Sequence, residues 1–241
     1  MTLQSPDIAR LRSGEIRLIE EEKGLVRNLY RAEVHTVDAA VGTVLDTLRR
    51  RRLRDETLVV LVADHGEEFW EHGSVEHGHT LYDELLRVPF IMQWPGHLPE
   101  SKEVDTLVRL VDVPPTILDL LSIPIPEELD GLSVVPLLSG GESAPRTAVA
   151  ENMLFAEECT AIRTPGYKYI RWQDGREEVY DLRTDPQERI NLVALSEVLE
   201  PLRTLSAAME TLLTQRDGQP GPMPPIDPRT EHALEALGYL R

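Results

Sequence analysis

The chain is 241 residues long, with 25 Lys+Arg against 42 Asp+Glu and a formal net charge of −17. That balance argues against a nucleic-acid binder, whose affinity rests on basic side chains neutralising phosphates, and against docking on anionic lipid. A single cysteine, Cys159, excludes an intrachain disulfide framework or a Cys-rich zinc site, and no apolar run approaches the roughly 20 residues of a membrane span.

The first 25 residues are charged and read as helical, with Ser5-Pro6-Asp7 as a start signal. From about Asn28 to Arg52, Val34, Val37, Val41, Val44, Leu45 and Leu48 recur at helical spacing on one face. The helix closes in a basic cluster, Arg49 to Arg52 with Arg54, which complements its dipole. Next comes Thr57-Leu-Val-Val-Leu-Val-Ala63, a continuous β-branched run that predicts a strand buried on both faces of a helix-flanked sheet. Asp64-His65-Gly66 follows at its carboxyl end, where open α/β sheets bind ligands. A second buried strand is predicted over Val88 to Trp94, closed by the Pro95-Gly96 turn. Pro114 to Leu121 reads as a helix with proline in its first turn, and 124–146 as a Pro/Gly/Ser-rich connector. Cys159 to Trp172 and Glu178 to Leu182 read as strands joined around Asp174-Gly175. A helix over about 196–214, a proline-rich linker over 217–228 and a short helix over about 231–237 complete the chain.

Four of the seven histidines, His65, His72, His77 and His79, crowd into sixteen residues with Asp64, Glu67, Glu68, Glu71 and Glu76. Imidazole and carboxylate together are what a metal or a phosphoryl- or sulfuryl-transfer site requires, and imidazole moves the preference toward Mn, Zn or Fe. The competing reading is a polar, glycine-punctuated surface loop with incidental histidines. It holds better for His72, Glu67, Glu68 and Glu71 than for Asp64 and His65, which top the strand.

The stretch from Leu58 through Asp64-His-Gly-Glu67, a Tyr-Glu-Glu-like segment at Tyr82, Arg87-Val-Pro and Pro95-Gly96 resembles the sulfatase family of the alkaline-phosphatase-like superfamily. Tyr30-Arg-Ala-Glu-Val34 with Asp38 is similar to the helix before this strand. Val111 to Asp119, Leu129-Asp-Gly-Leu-Ser133 and Pro136-Leu-Leu138 are similar to the segment after it. Tyr167-Lys-Tyr-Ile170, Val179-Tyr-Asp-Leu182, Asp185-Pro-Gln-Glu188 and Leu237-Gly-Tyr-Leu240 resemble the family's C-terminal subdomain.

The resemblance implies a partial helix-flanked mixed α/β sheet over 1–145 and a smaller antiparallel-sheet subdomain with a packed helix over 146–241. It implies one divalent cation, usually calcium, with manganese or zinc as alternatives. In intact sulfatases that cation lies between two N-terminal aspartates and an Asp-Asn or Asp-His pair, here Asp64 and His65. It implies a Lys or His neutralising charge on the sulfate or leaving oxygen, a role matched by His79 or His77, with His79 slightly preferred. Arg87 and Asp112 are expected to be structural. The family's nucleophile, a cysteine oxidised to formylglycine in Cys-x-Pro-Ser-Arg or Cys-x-Ala-x-Arg, belongs near the N-terminus, with the first aspartate pair earlier still. Neither is recognisable here. Cys159-Thr-Ala-Ile-Arg163 fits the second pattern formally but runs into a predicted C-terminal strand, so Cys159 reads as a small core residue. The expectation is a sulfate-ester hydrolase chain, inactive alone and completed by a chain supplying the N-terminal half. The alternatives are a phosphonate or phosphate ester hydrolase of the same superfamily and a non-catalytic binding or assembly module.

Overall fold

The computed structural model describes residues 5–141, 146–151, 156–194 and 199–216. The chain divides into two compact units, Met1–Leu205 and Ser206–Arg241. The linker predicted over 217–228 and the helix predicted over 231–237 lie outside the described residues.

The first unit begins with α1 (Ser5–Arg12) and a long helix, α2 (Glu20–Arg50). Three glutamates open α2, and Glu22 accepts a hydrogen bond from the Ile19 N–H. Arg49 and Arg50 close it, so both ends carry charge of the sign the dipole favours. None of its residues is buried. Leu25, Leu29, Val34, Val37 and Val44 are all exposed.

A short turn leads into β1 (Val59–Val62). Then come β2 (Glu68–Phe69), β3 (Val75–Glu76), α3 (Asp83–Leu86) and β4 (Phe90–Gln93). β1 pairs antiparallel with β4, Val59 opposite Gln93 and Val62 opposite Phe90. The predicted burial on both faces is not what this chain provides. β1 is half-buried along Val59 to Leu61, and Val62 and Ile91 are exposed, because the ribbon has only two strands here.

After β4, α4 (Val113–Leu120) starts with prolines in its first turn, and α5 (Val135–Leu138) lies within the predicted connector. Asp112 organises this stretch, as expected of a structural residue. It is fully buried, receives the Leu132 and Arg109 N–H groups at 2.9 Å each, and pairs with Arg109 at 2.8 Å and Arg146 at 3.3 Å. Burial alone would raise its carboxyl; the hydrogen bonds from Arg109 and the Leu132 N–H together outweigh that and hold it below the ordinary range.

The densest packing is in an antiparallel sheet of β5 (Ala148–Glu151), β6 (Cys159–Arg163), β7 (Tyr167–Trp172) and β8 (Glu177–Asp181), in that order. Gly175 takes a left-handed conformation (φ 87°) in the β7–β8 turn that Asp174-Gly175 predicts. Cys159, Ala161, Ile170, Trp172, Tyr180 and Leu182 form a core with Leu81 and Tyr82, so the segment leading into α3 is seated on this sheet. Lys168, wholly buried, lies 3.0 Å from Asp83 and 2.7 Å from Glu188, and Arg163 adds a contact to Asp83 at 3.2 Å. The last described helix is α6 (Leu199–Arg216).

Candidate active site

The loop after β1 is fixed by its backbone. The Gly66 N–H donates to the Leu85 carbonyl at 2.8 Å, and the Glu67 N–H to the Glu84 carbonyl at 3.1 Å. A Cβ on Gly66 would lie 1.9 Å from the Glu84 oxygen. Only glycine lets the chain leave β1 and lie against α3. The Asp64 carboxylate receives the His65 N–H at 3.0 Å, and its side chain is 77% exposed. The His65 Nδ1 faces the Gly66 carbonyl at 2.8 Å. A carbonyl only accepts, so Nδ1 carries a proton, while Nε2 lies 3.8 Å from the Asp64 Oδ1.

β2 and β3 form a hairpin with Glu68 opposite Glu76 and Phe69 opposite Val75. One step further in the same register, Glu67 meets His77, with Oε2 3.1 Å from Nδ1. This hydrogen bond, stronger than the opposing effect of burial, holds His77 above the ordinary imidazole range. The His77 ring stacks on His65 with centroids 4.1 Å apart. Two of the predicted residues are thus in contact, and His65, Glu67 and His77 present donor atoms all within 4.8 Å of one another.

His79 is placed differently. It is 5% exposed, and its Nε2 lies 2.9 Å from Glu68 Oε2, while Nδ1 is buried without a hydrogen-bond partner. Glu68 is fully buried and also receives the His72 and Ser74 N–H groups. Burial would raise its carboxyl, but these bonds outweigh it and hold the group ionised below the ordinary range.

His72 has an acceptor at each ring nitrogen, the Glu84 carboxylate and the Glu188 carbonyl, and stacks on Tyr82 at 3.6 Å. Two acceptors require two N–H groups. Although burial opposes it, Glu84 and the Glu188 carbonyl together raise His72 above the ordinary range, so this side chain is a cationic tie between the loop and the sheet. Sequence reading left Glu67, Glu68 and His72 as loop polarity. Their signal was the Gly73-Ser74 turn, which predicts a hairpin and hence the Glu67–His77 pairing.

Other predicted residues lie elsewhere. Arg87 is exposed at the end of α3. Cys159 is buried in β6, where burial and the neighbouring Glu178 push its thiol up to about 12. A thiol so rarely ionised is a poor nucleophile.

The C-terminal family model of N-sulphoglucosamine sulphohydrolase matches residues 70–215, and the sulfatase model matches residues 9–123. A sulfatase of Formosa agariphila is 30% identical over 78% of this chain and 36% of its own length. A Delta 4,5-hexuronate-2-O-sulfatase of Bacteroides thetaiotaomicron is 36% identical over 65% of this chain and 34% of its own. A solved sulfatase-type structure from the same organism superposes with a TM-score of 0.78 at 29% identity, covering 93% of this chain and 49% of the other. The chain spans about a third of the length of the curated relatives it matches. Its fold is the mixed α/β, alkaline-phosphatase-like one, and the chain belongs to the sulfatase family.

Proposed function

We propose that this chain contributes part of the active site of a cation-dependent sulfate-ester hydrolase. The observation that carries the reading is the His65–His77 stack at the carboxyl end of β1, in a chain of the sulfatase family. Asp64 and His65 would hold the divalent cation from one side, as an exposed carboxylate and an imidazole whose Nε2 lies 3.8 Å from it. They fit half of the donor set that the family resemblance implies. Bound there, a divalent cation polarises sulfate oxygens as a Lewis acid. His77, charged or neutral near physiological pH, is the imidazole placed to neutralise charge on the substrate, and Glu67 orients it. His79 sits one layer back, where Glu68 clamps it and holds the hairpin. Residues 1–145 would belong to the catalytic α/β part and 146–241 to the smaller subdomain.

The exposed faces of α2 and of the β1–β4 ribbon support a complementary part carrying the nucleophile. The test is hydrolysis of 4-nitrocatechol sulfate with added calcium, manganese or zinc. The chain is assayed alone and mixed with the N-terminal two-thirds of the Bacteroides thetaiotaomicron relative. Turnover is expected only in the mixture, with a loss of at least 100-fold on Asp64→Ala or His77→Ala. Turnover of a phenyl phosphonate ester in its place would move the substrate to phosphorus. Association without turnover of either would make the chain a binding module, and failure to associate would overturn the shared-site reading.

A further inference from the structure

α2 ends in more positive charge than its own dipole can use. Arg49, Arg50, Arg51, Arg52 and Arg54 are all exposed, and they crowd five of the chain's 25 basic residues into one turn of a molecule of net charge −17. A helix dipole favours cations in the last turn and falls off beyond it, which accounts for Arg49 and Arg50. Arg49 is also paired with Asp46 at 2.8 Å, and Arg50 donates to the Thr47 hydroxyl at 2.9 Å. Arg51, Arg52 and Arg54 lie past that turn. Among the described residues they make no side-chain hydrogen bond or ion pair, even with Asp55 and Glu56, the next acidic residues in the chain.

Nor are these arginines needed to close the helix. The Leu53 N–H donates to the Leu48 carbonyl at 2.9 Å and the Arg52 N–H to the Arg49 carbonyl at 3.1 Å, so backbone groups satisfy those carbonyls. The closure puts Arg52 in a left-handed conformation (φ 59°), at the position helices usually fill with glycine. An arginine there is strained, and strain of this kind clusters at ligand clamps and switch regions. The turn is held firmly, because the Leu53 carbonyl accepts from the Thr57 hydroxyl at 2.8 Å and from the Glu56 N–H at 3.1 Å. Arg49 and Arg54 border the same small pocket as Val59, which places the cluster at the amino end of β1, away from the catalytic loop.

Crowded like charges repel, and a ligand carrying several anionic groups relieves them. Guanidinium groups take sulfate, phosphate and carboxylate through paired hydrogen bonds. A bilayer or a rigid duplex would press its charge over a wide area onto the chain's 42 Asp and Glu. A flexible polysaccharide strand can follow the arginine turn alone. We infer that the 49–54 turn is a docking surface for a linear sulfated polysaccharide. The choice of sulfate rests on the proposed sulfate-ester reading; the anionic strand does not. At about 3.3 Å per residue, Val59 and Asp64 are roughly 16 Å apart, so a strand held here must be several sugars long to occupy the catalytic loop as well.

The test is calorimetric titration of the tag-free chain with a heparin dodecasaccharide, beside a hyaluronan fragment of equal length, which carries carboxylates only, and single-stranded oligo(dT). Circular dichroism confirms that each variant is folded. Saturable binding of the heparin fragment is expected, weakening as salt rises. The triple variant Arg51→Gln, Arg52→Asn, Arg54→Gln should lose about tenfold or more in affinity, and a charge-matched triple variant elsewhere, Arg31→Gln, Lys102→Gln, Arg203→Gln, less than about threefold. Absence of saturable heparin binding, or equal losses in the two triple variants, overturns the proposal. Hyaluronan bound as tightly as heparin overturns the preference for sulfate, and oligo(dT) bound as tightly overturns the polysaccharide. None of these readouts uses turnover, so a mixture inactive in the hydrolysis assay would count against the catalytic reading and leave this one decidable.

Discussion

The four-stranded sheet and the β1–β4 ribbon are both antiparallel, and the ribbon's strands are the richer in valine, isoleucine and aromatic residues. In the sheet, Ile162, Tyr169, Ile170 and Val179 are almost completely buried, and even Lys168 is enclosed between Asp83 and Glu188. In the ribbon, Val62 and Ile91 face outward, and none of the 31 residues of α2 is buried. The difference lies in what the chain supplies to each. α3 and its approach bring Leu81, Tyr82 and Asp83 onto the sheet, while the ribbon receives little beyond Leu45 and Leu48 at the end of α2, which line a small pocket with Val59 and Gln93. The site lies between the two, on a loop that leaves the open ribbon and is tied to the closed sheet. Chemistry placed there is rigid on one side and open on the other.

If that contrast is right, the largest loss of stability comes from opening the closed region. Lys168→Met removes the cation between two buried carboxylates, and an uncompensated buried charge costs about 3–5 kcal/mol. Urea unfolding monitored by circular dichroism should show a loss of that size. A change under 1 kcal/mol would mean that the sheet is not the more tightly held region.

Much of this was legible in the sequence. The run from Val59 to Val62, the Asp174-Gly175 turn and the periodic valines of α2 each mark an element that the structure contains. Burial was less legible, because a β-branched run states that a strand is apolar and says nothing of what covers it. The contrast between Val62 and Ile170 depends on tertiary partners. Within the site, the short motif Asp64-His65-Gly66 was visible, and the steric reason for its glycine lies in the Glu84 carbonyl, eighteen residues away. Glu67 and Glu68 read as loop polarity because carboxylates in a loop are usually solvated. Only the hairpin register reveals that one meets His77 and the other is enclosed beside His79.

The tie between the regions gives an intermediate effect with a pH signature. Bonding to Glu84 and the Glu188 carbonyl raises His72, so its contribution to stability is complete below the ordinary pKa of 6.5 and is lost as pH rises through the raised value. A hydrogen bond to a charged group contributes about 1.5–3 kcal/mol, and His72→Gln should cost about 2 kcal/mol at pH 6. The cost should shrink above neutrality. Melting temperatures measured from pH 5.5 to 9 should therefore converge for the two proteins as pH rises. A gap constant with pH would show that His72 acts by packing on Tyr82 and not by its charge.

The smallest expected effect on stability is the most informative about the open region. Val37 and Ile91 are 61% and 59% exposed, so lysine at both positions removes little buried area within the chain. Exposed substitutions of this kind usually change stability by no more than about 0.5 kcal/mol. The same pair of charges would, however, lie within any surface that covers α2 and the ribbon, where an unpaired charge is costly. The Val37→Lys, Ile91→Lys double variant should therefore unfold at nearly the parent's urea concentration yet fail to co-elute with the complementary part used in the hydrolysis assay. A loss of 2 kcal/mol or more in the isolated chain would instead place these residues in its own core, and the contrast between a closed sheet and an open ribbon would no longer hold.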